Sequence, residues 1–154
     1  MHGAPYRARA YGYMKIRGLI AAAGKSSRMD GFKPLMELNG FPMIQMTVQS
    51  FQNAGIRDIT VVTGCRHAEV EEALLPLGVE IVENPNYGET DMFASVRLGL
   101  SHILAGTGAK TDAVFFLPGD IPLVSPKSME KMKRGVRETG RETEALLPLV
   151  NGMA

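Results

Sequence analysis

Four short apolar runs, residues 16–22, 58–64, 79–82 and 113–117, alternate along this chain with segments whose apolar residues recur at helical spacing. Strands separated by helices predict an α/β fold with a largely parallel sheet, because a parallel neighbour is reached only through a long crossover. The first and last runs, IRGLIAA and AVFFL, are continuously apolar, which predicts burial on both faces. At 154 residues the chain suits one domain with its own core, expected over residues 14–154 and preceded by a flexible extension over 1–13.

The intervening segments carry their own signals. Pro42 opens a helix with Ile44, Val48 and Phe51 on one face, and Gly55 supplies a left-handed exit. A polar helix is expected over residues 68–75, ending at Pro76. Thr90 is the expected N-cap of a third helix, with Asp91 in its first turn and Met92, Val96, Leu100 and Ile103 facing inward. Ser125-Pro126 starts a fourth, with Met129, Met132 and Val136 inward and Lys127, Lys131, Lys133 and Arg134 in solvent. Residues 34–38 predict a short extended piece turned by Asn39-Gly40, and residues 145–150 a further strand.

Charge narrows the function. Seventeen Lys and Arg against sixteen Asp and Glu leave a net +1, which argues against a nucleic-acid or membrane-surface binder. The single Cys65 excludes an internal disulfide and a cysteine-rich zinc site, and it fits a reducing compartment. No apolar run of signal-peptide length precedes the first strand, so a cytoplasmic location is expected. His67 and His102 lack metal-ligand spacing and read as a loop and a helix-surface histidine.

In an open parallel sheet, ligands bind beyond the carboxyl ends of the strands, where strand order reverses. Two runs end unusually: the first in Ala23-Gly24-Lys25-Ser26-Ser27-Arg28, the last in Pro118-Gly119-Asp120. The site is expected between them. Gly24-Lys25-Ser26 is not a P-loop, since Leu19 stands where that motif needs its first glycine, and no dinucleotide-binding Gly-x-Gly-x-x-Gly occurs. The residues alone leave two readings of the first loop, an anion cradle of backbone N–H groups or a basic surface turn. Asp120 after Pro-Gly reads first as a turn aspartate, and Ser95 equally suits helix packing.

Ala22-Ala23-Gly24-Lys25-Ser26-Ser27-Arg28-Met29, then Lys33-Pro34-Leu35, resembles the signature loop of the MobA/MocA-like nucleotidyltransferases of molybdenum cofactor assembly. Asn84-Pro85, Met92-x-x-Ser95 with Gly99, and Gly119-Asp120-Ile121-Pro122 follow in that family's order, so the resemblance covers residues 16–150. It implies a Rossmann-like three-layer domain of the nucleotide-diphospho-sugar transferase type. It also implies Mg²⁺-dependent transfer of a nucleotidyl group from an NTP to a phosphorylated acceptor, molybdopterin first among the choices, with pyrophosphate leaving. By the same resemblance Ala22, Ala23, Gly24, Lys25, Ser26, Ser27, Asn84 and Ser95 bind the nucleotide. Arg28, Lys33 and Asp120 are catalytic, Asp120 also holding the metal. An acceptor phosphate is already nucleophilic, so such chemistry needs positioning and charge neutralisation and no serine or cysteine nucleophile.

The chain departs from the family pattern in two places. Asp91 stands where cytidylyl-type members carry a glycine, in the segment that reads the base. Ala22-Ala23-Gly24, against the Ala-Gly-Gly of the guanylyl branch, leans toward CTP over GTP because the added methyl narrows the pocket. Family domains also continue past the end of this sequence, so part of the acceptor surface and a second metal-binding aspartate are expected to be missing. Sugar-phosphate or polyol-phosphate acceptors remain the alternative, as does a nucleotide-binding module without turnover.

Overall fold

A computed structural model describes residues 14–25, 31–106 and 110–139. Its main sheet has four strands: β1 (Ile16–Ala22), β4 (Ile59–Thr63), β5 (Glu80–Glu83) and β6 (Ala113–Pro118). They stand in the order β5-β4-β1-β6 and every pairing is parallel. A two-residue hairpin, β2 (Glu37–Leu38) and β3 (Phe41–Pro42), turns on Asn39 and Gly40, whose φ values of 55° and 81° are those of a tight primed turn. The helices are α1 (Met43–Asn53), α2 (His67–Leu74), α3 (Met92–Ala105) and α4 (Pro126–Thr139).

The chain moves outward from β1 through α1 and α2, then returns across β1 through α3 to lay down β6 on the other side. Crossovers of one hand place helices on opposite faces when the direction reverses. Accordingly Val48 and Phe51 of α1, Val70 and Leu74 of α2 and Met129 of α4 pack on the face of Ile20, Val61 and Phe115. Leu19 and Val62 meet Ile103, Val96 and Leu100 of α3 on the other face. Leu19 and Ile20 are neighbours with no exposure at all, one per face, and this double burial explains the continuous apolar run of β1; β6, expected to be buried as fully, has only Phe115 buried because it is the last strand of the described sheet. Each such side chain contributes roughly 1.5–3 kcal/mol of transfer free energy. No helix among the described residues is long and apolar enough to cross a membrane.

Several expected boundaries shift. Pro34 and Leu35 belong to a 3-10 turn (Lys33–Leu35) and are not extended. α2 begins at His67, so that histidine is helical, and β5 begins at Glu80. The expected strand over 145–150 lies outside the described residues. In α3 the N-cap is Asp91, not Thr90: its carboxylate accepts from the Ala94 N–H at 2.9 Å. Thr90 is diverted, its hydroxyl donating to the Asn86 carbonyl at 2.9 Å.

The inward stripe of α3 is Ser95, Gly99 and Ile103, while Met92 is 46% exposed. Small residues win that face because α3 lies close on the sheet. A Cβ on Gly99 would collide with the Leu19 side chain and come within 2.9 Å of Val62 Cγ2. Lys133 is not on a solvated face either. Its stem is largely buried and its ammonium donates to the Ala54 carbonyl at the end of α1, where a helix presents unpaired acceptors. His102 of α3 reaches the edge strand, its Nε2 2.8 Å from Glu80 Oε1.

Candidate functional site

β1 and β6 end side by side, Ala21 opposite Pro118, at the point where strand order reverses. Gly119 N–H donates to the Ala21 carbonyl at 2.8 Å and carries the chain directly over the end of β1. Only glycine fits there, since a Cβ would meet Ala22 Cβ at 2.8 Å. Asp120 is thereby delivered to the top of the sheet. From the other direction the 3-10 turn, anchored by buried Pro34, brings Lys33 Nζ to 3.5 Å from Asp120 Oδ2. Both side chains are more than a third exposed, so the pair contributes no more than about 1 kcal/mol to stability. Its significance is placement: a cation and a carboxylate converge at a strand-end crevice.

That crevice is a cleft of about 340 Å³, within the range of small-molecule sites. Its floor is the end of β1, Ala21 to Gly24, and one wall is Lys33, Pro34 and the Pro118–Asp120 turn. The facing wall is Tyr87, Thr90, Asp91, Met92 and Ser95 from the loop before α3 and its first turns.

Asn84 builds that second wall. It is 5% exposed, and its N–H donates to the Thr63 carbonyl at 2.7 Å. Its Nδ2 donates to Thr90 Oγ1 at 3.1 Å and Ser95 Oγ at 3.0 Å, while its Oδ1 accepts from Asn86 N–H at 3.0 Å. The amide's donors are thus engaged within the protein. Lys25 lies beside the wall, Nζ 5.9 Å from the centre of the Tyr87 ring.

Of the residues expected from sequence, Ala22, Ala23, Gly24, Lys33, Ser95 and Asp120 line the cleft together. Lys25 stands at its flank and Asn84 behind its wall. Ser26, Ser27 and Arg28 lie outside the described residues. Tyr87 and Thr90 were not expected as site residues and Met92 entered only through its motif with Ser95; the available signal was the Asn84-Pro85-Asn86-Tyr87-Gly88 turn cluster just after a strand end. No group of three or more His, Cys, Asp or Glu side chains suited to a metal occurs among the described residues. Asp120 supplies one hard oxygen donor, of the kind that suits a hard divalent cation shared with phosphate and water.

Residues 18–149 match the MobA-like NTP transferase domain. The chain belongs to that family. Its fold is accordingly the Rossmann-like α/β arrangement of the nucleotide-diphospho-sugar transferase type, and the family is one of nucleotidyltransferases. A solved nucleotidyl transferase from Methanothermobacter thermautotroptrophicus superposes on this NTP transferase domain with a TM-score of 0.69 and 34% identity, over 80% of this chain and 58% of that one. The domain is also 33% identical over 132 residues to the bifunctional protein GlmU of Syntrophomonas wolfei, covering 81% of this chain and 27% of GlmU. A probable molybdenum cofactor guanylyltransferase of Thermococcus sibiricus is 32% identical over 114 residues, 73% of this chain and 52% of that protein. The NTP transferase domain described here therefore spans between about a quarter and three fifths of the lengths of these relatives.

Proposed function

We propose that this protein transfers a nucleotidyl group from an NTP to a phosphorylated acceptor and releases pyrophosphate. The observation that carries the reading is the Lys33–Asp120 pair, 3.5 Å apart over a cleft floored by the end of β1. An oxygen of the acceptor phosphate attacks the α-phosphorus in line. The new P–O bond forms as the bond to the β-phosphate oxygen breaks, and pyrophosphate leaves with that electron pair. The protein's part is positioning and charge neutralisation.

In this reading the backbone from Ala23 through Ser27 cradles the triphosphate, and Lys33 and Arg28 neutralise the reacting phosphates. Ala22, Ala23, Gly24, Lys25 and Ser95 complete the nucleotide contacts. Asn84 acts through its hold on Ser95 and Thr90. A divalent ion, Mg²⁺ by preference, would be held at Asp120 and would lower the negative charge of the triphosphate. CTP is favoured over GTP and molybdopterin is the favoured acceptor, the latter supported by the resemblance to a molybdenum cofactor guanylyltransferase. A nucleotide-binding module without turnover is the alternative reading.

Pyrophosphate release with CTP or GTP, assayed against molybdopterin and a panel of sugar and polyol phosphates, tests this. Release that requires a phosphorylated acceptor and falls in Lys33→Ala and Asp120→Asn is expected. Nucleotide binding without release under every condition supports the module, and absence of NTP binding refutes both.

A further inference from the structure

Residues 119–122, which carry Asp120, are tied to α1 by two side chains. Thr47 Oγ1 lies 3.3 Å from the Gly119 carbonyl oxygen, and Ser50 Oγ lies 3.1 Å from that of Pro122. The two hydroxyls are three residues apart, neighbours on one face of the helix. Their acceptors stand on either side of Asp120 in the chain. Thr47 is fully buried and Ser50 is 8% exposed, on a helix whose other buried residues are Ile44, Val48 and Phe51. Hydroxyl residues gain nothing from a helix interior, and a buried hydroxyl costs free energy unless it is paired. Their presence here therefore calls for a partner.

Each hydroxyl has a choice of two acceptors for its one proton. Thr47 Oγ1 is also 3.0 Å from the Met43 carbonyl oxygen, and Ser50 Oγ is 3.1 Å from that of Met46. Those helix carbonyls already accept the backbone N–H four residues on, whereas Gly119 and Pro122 lie outside any helix or strand. Gly119 is buried, so a hydrogen bond left unmade at its carbonyl is costly. The two protons thus matter most at the turn. The same helix supports Lys33. Met36 N–H donates to the Lys33 carbonyl at 3.0 Å, and Met43 N–H, at the first residue of α1, donates to the Met36 carbonyl at 2.9 Å. The lysine turn is fastened to the start of α1 and the aspartate turn one and two helical turns further on.

We propose that Thr47 and Ser50 are positioning residues for the transfer site, their hydroxyls setting the place of Asp120 relative to Lys33. This rests on the nucleotidyl-transfer reading, in which Asp120 holds a divalent ion against the triphosphate, and deepens it. Valine in place of Thr47 keeps the branched shape and removes the donor; alanine removes the donor at Ser50. The turn then keeps its backbone bonds, Gly119 N–H to Ala21 and Ile121 N–H to Pro118, but loses its side-chain ties to α1. A carboxylate displaced by about 1 Å costs roughly a hundredfold where chemistry depends on placement.

The test is calorimetric titration of the full chain with CTP and with GTP, each in Mg²⁺ and in EDTA, read as the ratio of the two affinities. The proteins are the native chain, Thr47→Val, Ser50→Ala, Thr47→Ser and Lys133→Met, with thermal melts confirming that each is folded. Lys133→Met removes the bond from α4 to the Ala54 carbonyl and so loosens α1 away from the turn. Thr47→Val and Ser50→Ala are expected to lower the ratio roughly fivefold or more, with affinity in EDTA within about twofold of native. Thr47→Ser restores the donor and is expected to restore the ratio. Lys133→Met is expected to melt earlier with the ratio intact. In an Asp120→Asn background Thr47→Val is expected to lower the ratio no further, because the group it positions is gone. A native ratio near one, or a ratio unchanged in both Thr47→Val and Ser50→Ala, overturns the role while leaving the nucleotide site standing. An equal fall in Lys133→Met overturns it too, since the effect is then one of stability. Failure of the native chain to bind either nucleotide removes the transfer reading and this inference with it.

Discussion

Asn84 Nδ2 lies 3.0 Å from Ser95 Oγ, a buried hydrogen bond that ties the end of β5 to the second turn of α3. The same amide holds Thr90 and Asn86, so one side chain sets the wall of the cleft. Replacing it with alanine takes that donor from buried Ser95 and frees the loop residues Thr90 and Asn86 from the wall. Asn84→Ala should lower unfolding free energy by about 1–3 kcal/mol in urea titrations and weaken NTP binding at the same time. Asn84→Asp retains the acceptor for Asn86 N–H but loses both donors, so it should not restore binding.

Lys33 and Asp120 should behave in the opposite way. Their pair is too exposed to matter much for folding, so Lys33→Ala or Asp120→Asn should change unfolding free energy by less than about 1 kcal/mol. Pyrophosphate release should nevertheless fall by roughly a hundredfold, as when a preorganised charge is removed from a transition state. A parallel loss of stability and activity in these variants would make the pair structural.

Gly119 separates sterics from charge. Alanine there would put a Cβ 2.8 Å from Ala22 Cβ and 3.2 Å from the Ala21 carbonyl oxygen. Overpacking of this kind costs about 1–3 kcal/mol. Gly119→Ala should therefore lower the melting temperature and, by displacing Asp120, reduce NTP binding although no charged group is altered.

The edge strand supplies a pH prediction. The hydrogen bond from His102 holds the Glu80 carboxyl below the usual carboxylate range; burial opposes this, while the Thr60 hydroxyl and the charge of Arg17 add to it. A carboxyl lowered in the folded state adds stability that is present above its unfolded value and is lost as pH falls through the folded value. Stability of the native protein relative to Glu80→Gln should shrink as pH drops from about 5 to 3. Both side chains are over 40% exposed, so the effect should be modest and should weaken in salt.

Those particulars show where sequence reasoning succeeds. The run at 16–22 was legible because both faces of its strand are covered, whereas in β6 only Phe115 is buried; the switch point was legible because only those two strands run into Gly-Lys and Pro-Gly-Asp sequences. The start of α3 was misplaced by one residue because Thr90 and Asp91 are both good caps. The choice depends on the Asn86 carbonyl, which engages Thr90 and is visible only once the loop is folded. Lys133 was expected in solvent because pattern rules send charges outward, whereas its partner Ala54 lies 79 residues away. Asn84 stood out by its motif, yet its bonds to residues 6 and 11 positions on depend on a loop path that periodicity does not encode.

The central place of β1 also has a consequence for the order of events on the ribosome. Of the described strands it is synthesised first, but its flanking partner β6 begins 97 residues later, Ile16 pairing with Ala113. Lys33 likewise waits 87 residues for Asp120. Long-range parallel pairing of this kind forms slowly and leaves apolar surface uncovered in the interim. The nascent chain therefore carries the floor and the lysine of its cleft through the 87 residues that separate Lys33 from Asp120. In the proposed reading, nucleotide is gripped only after the Pro118–Asp120 turn has emerged, so ligand capture would report the pairing of β6 with β1 and stabilise it from that moment.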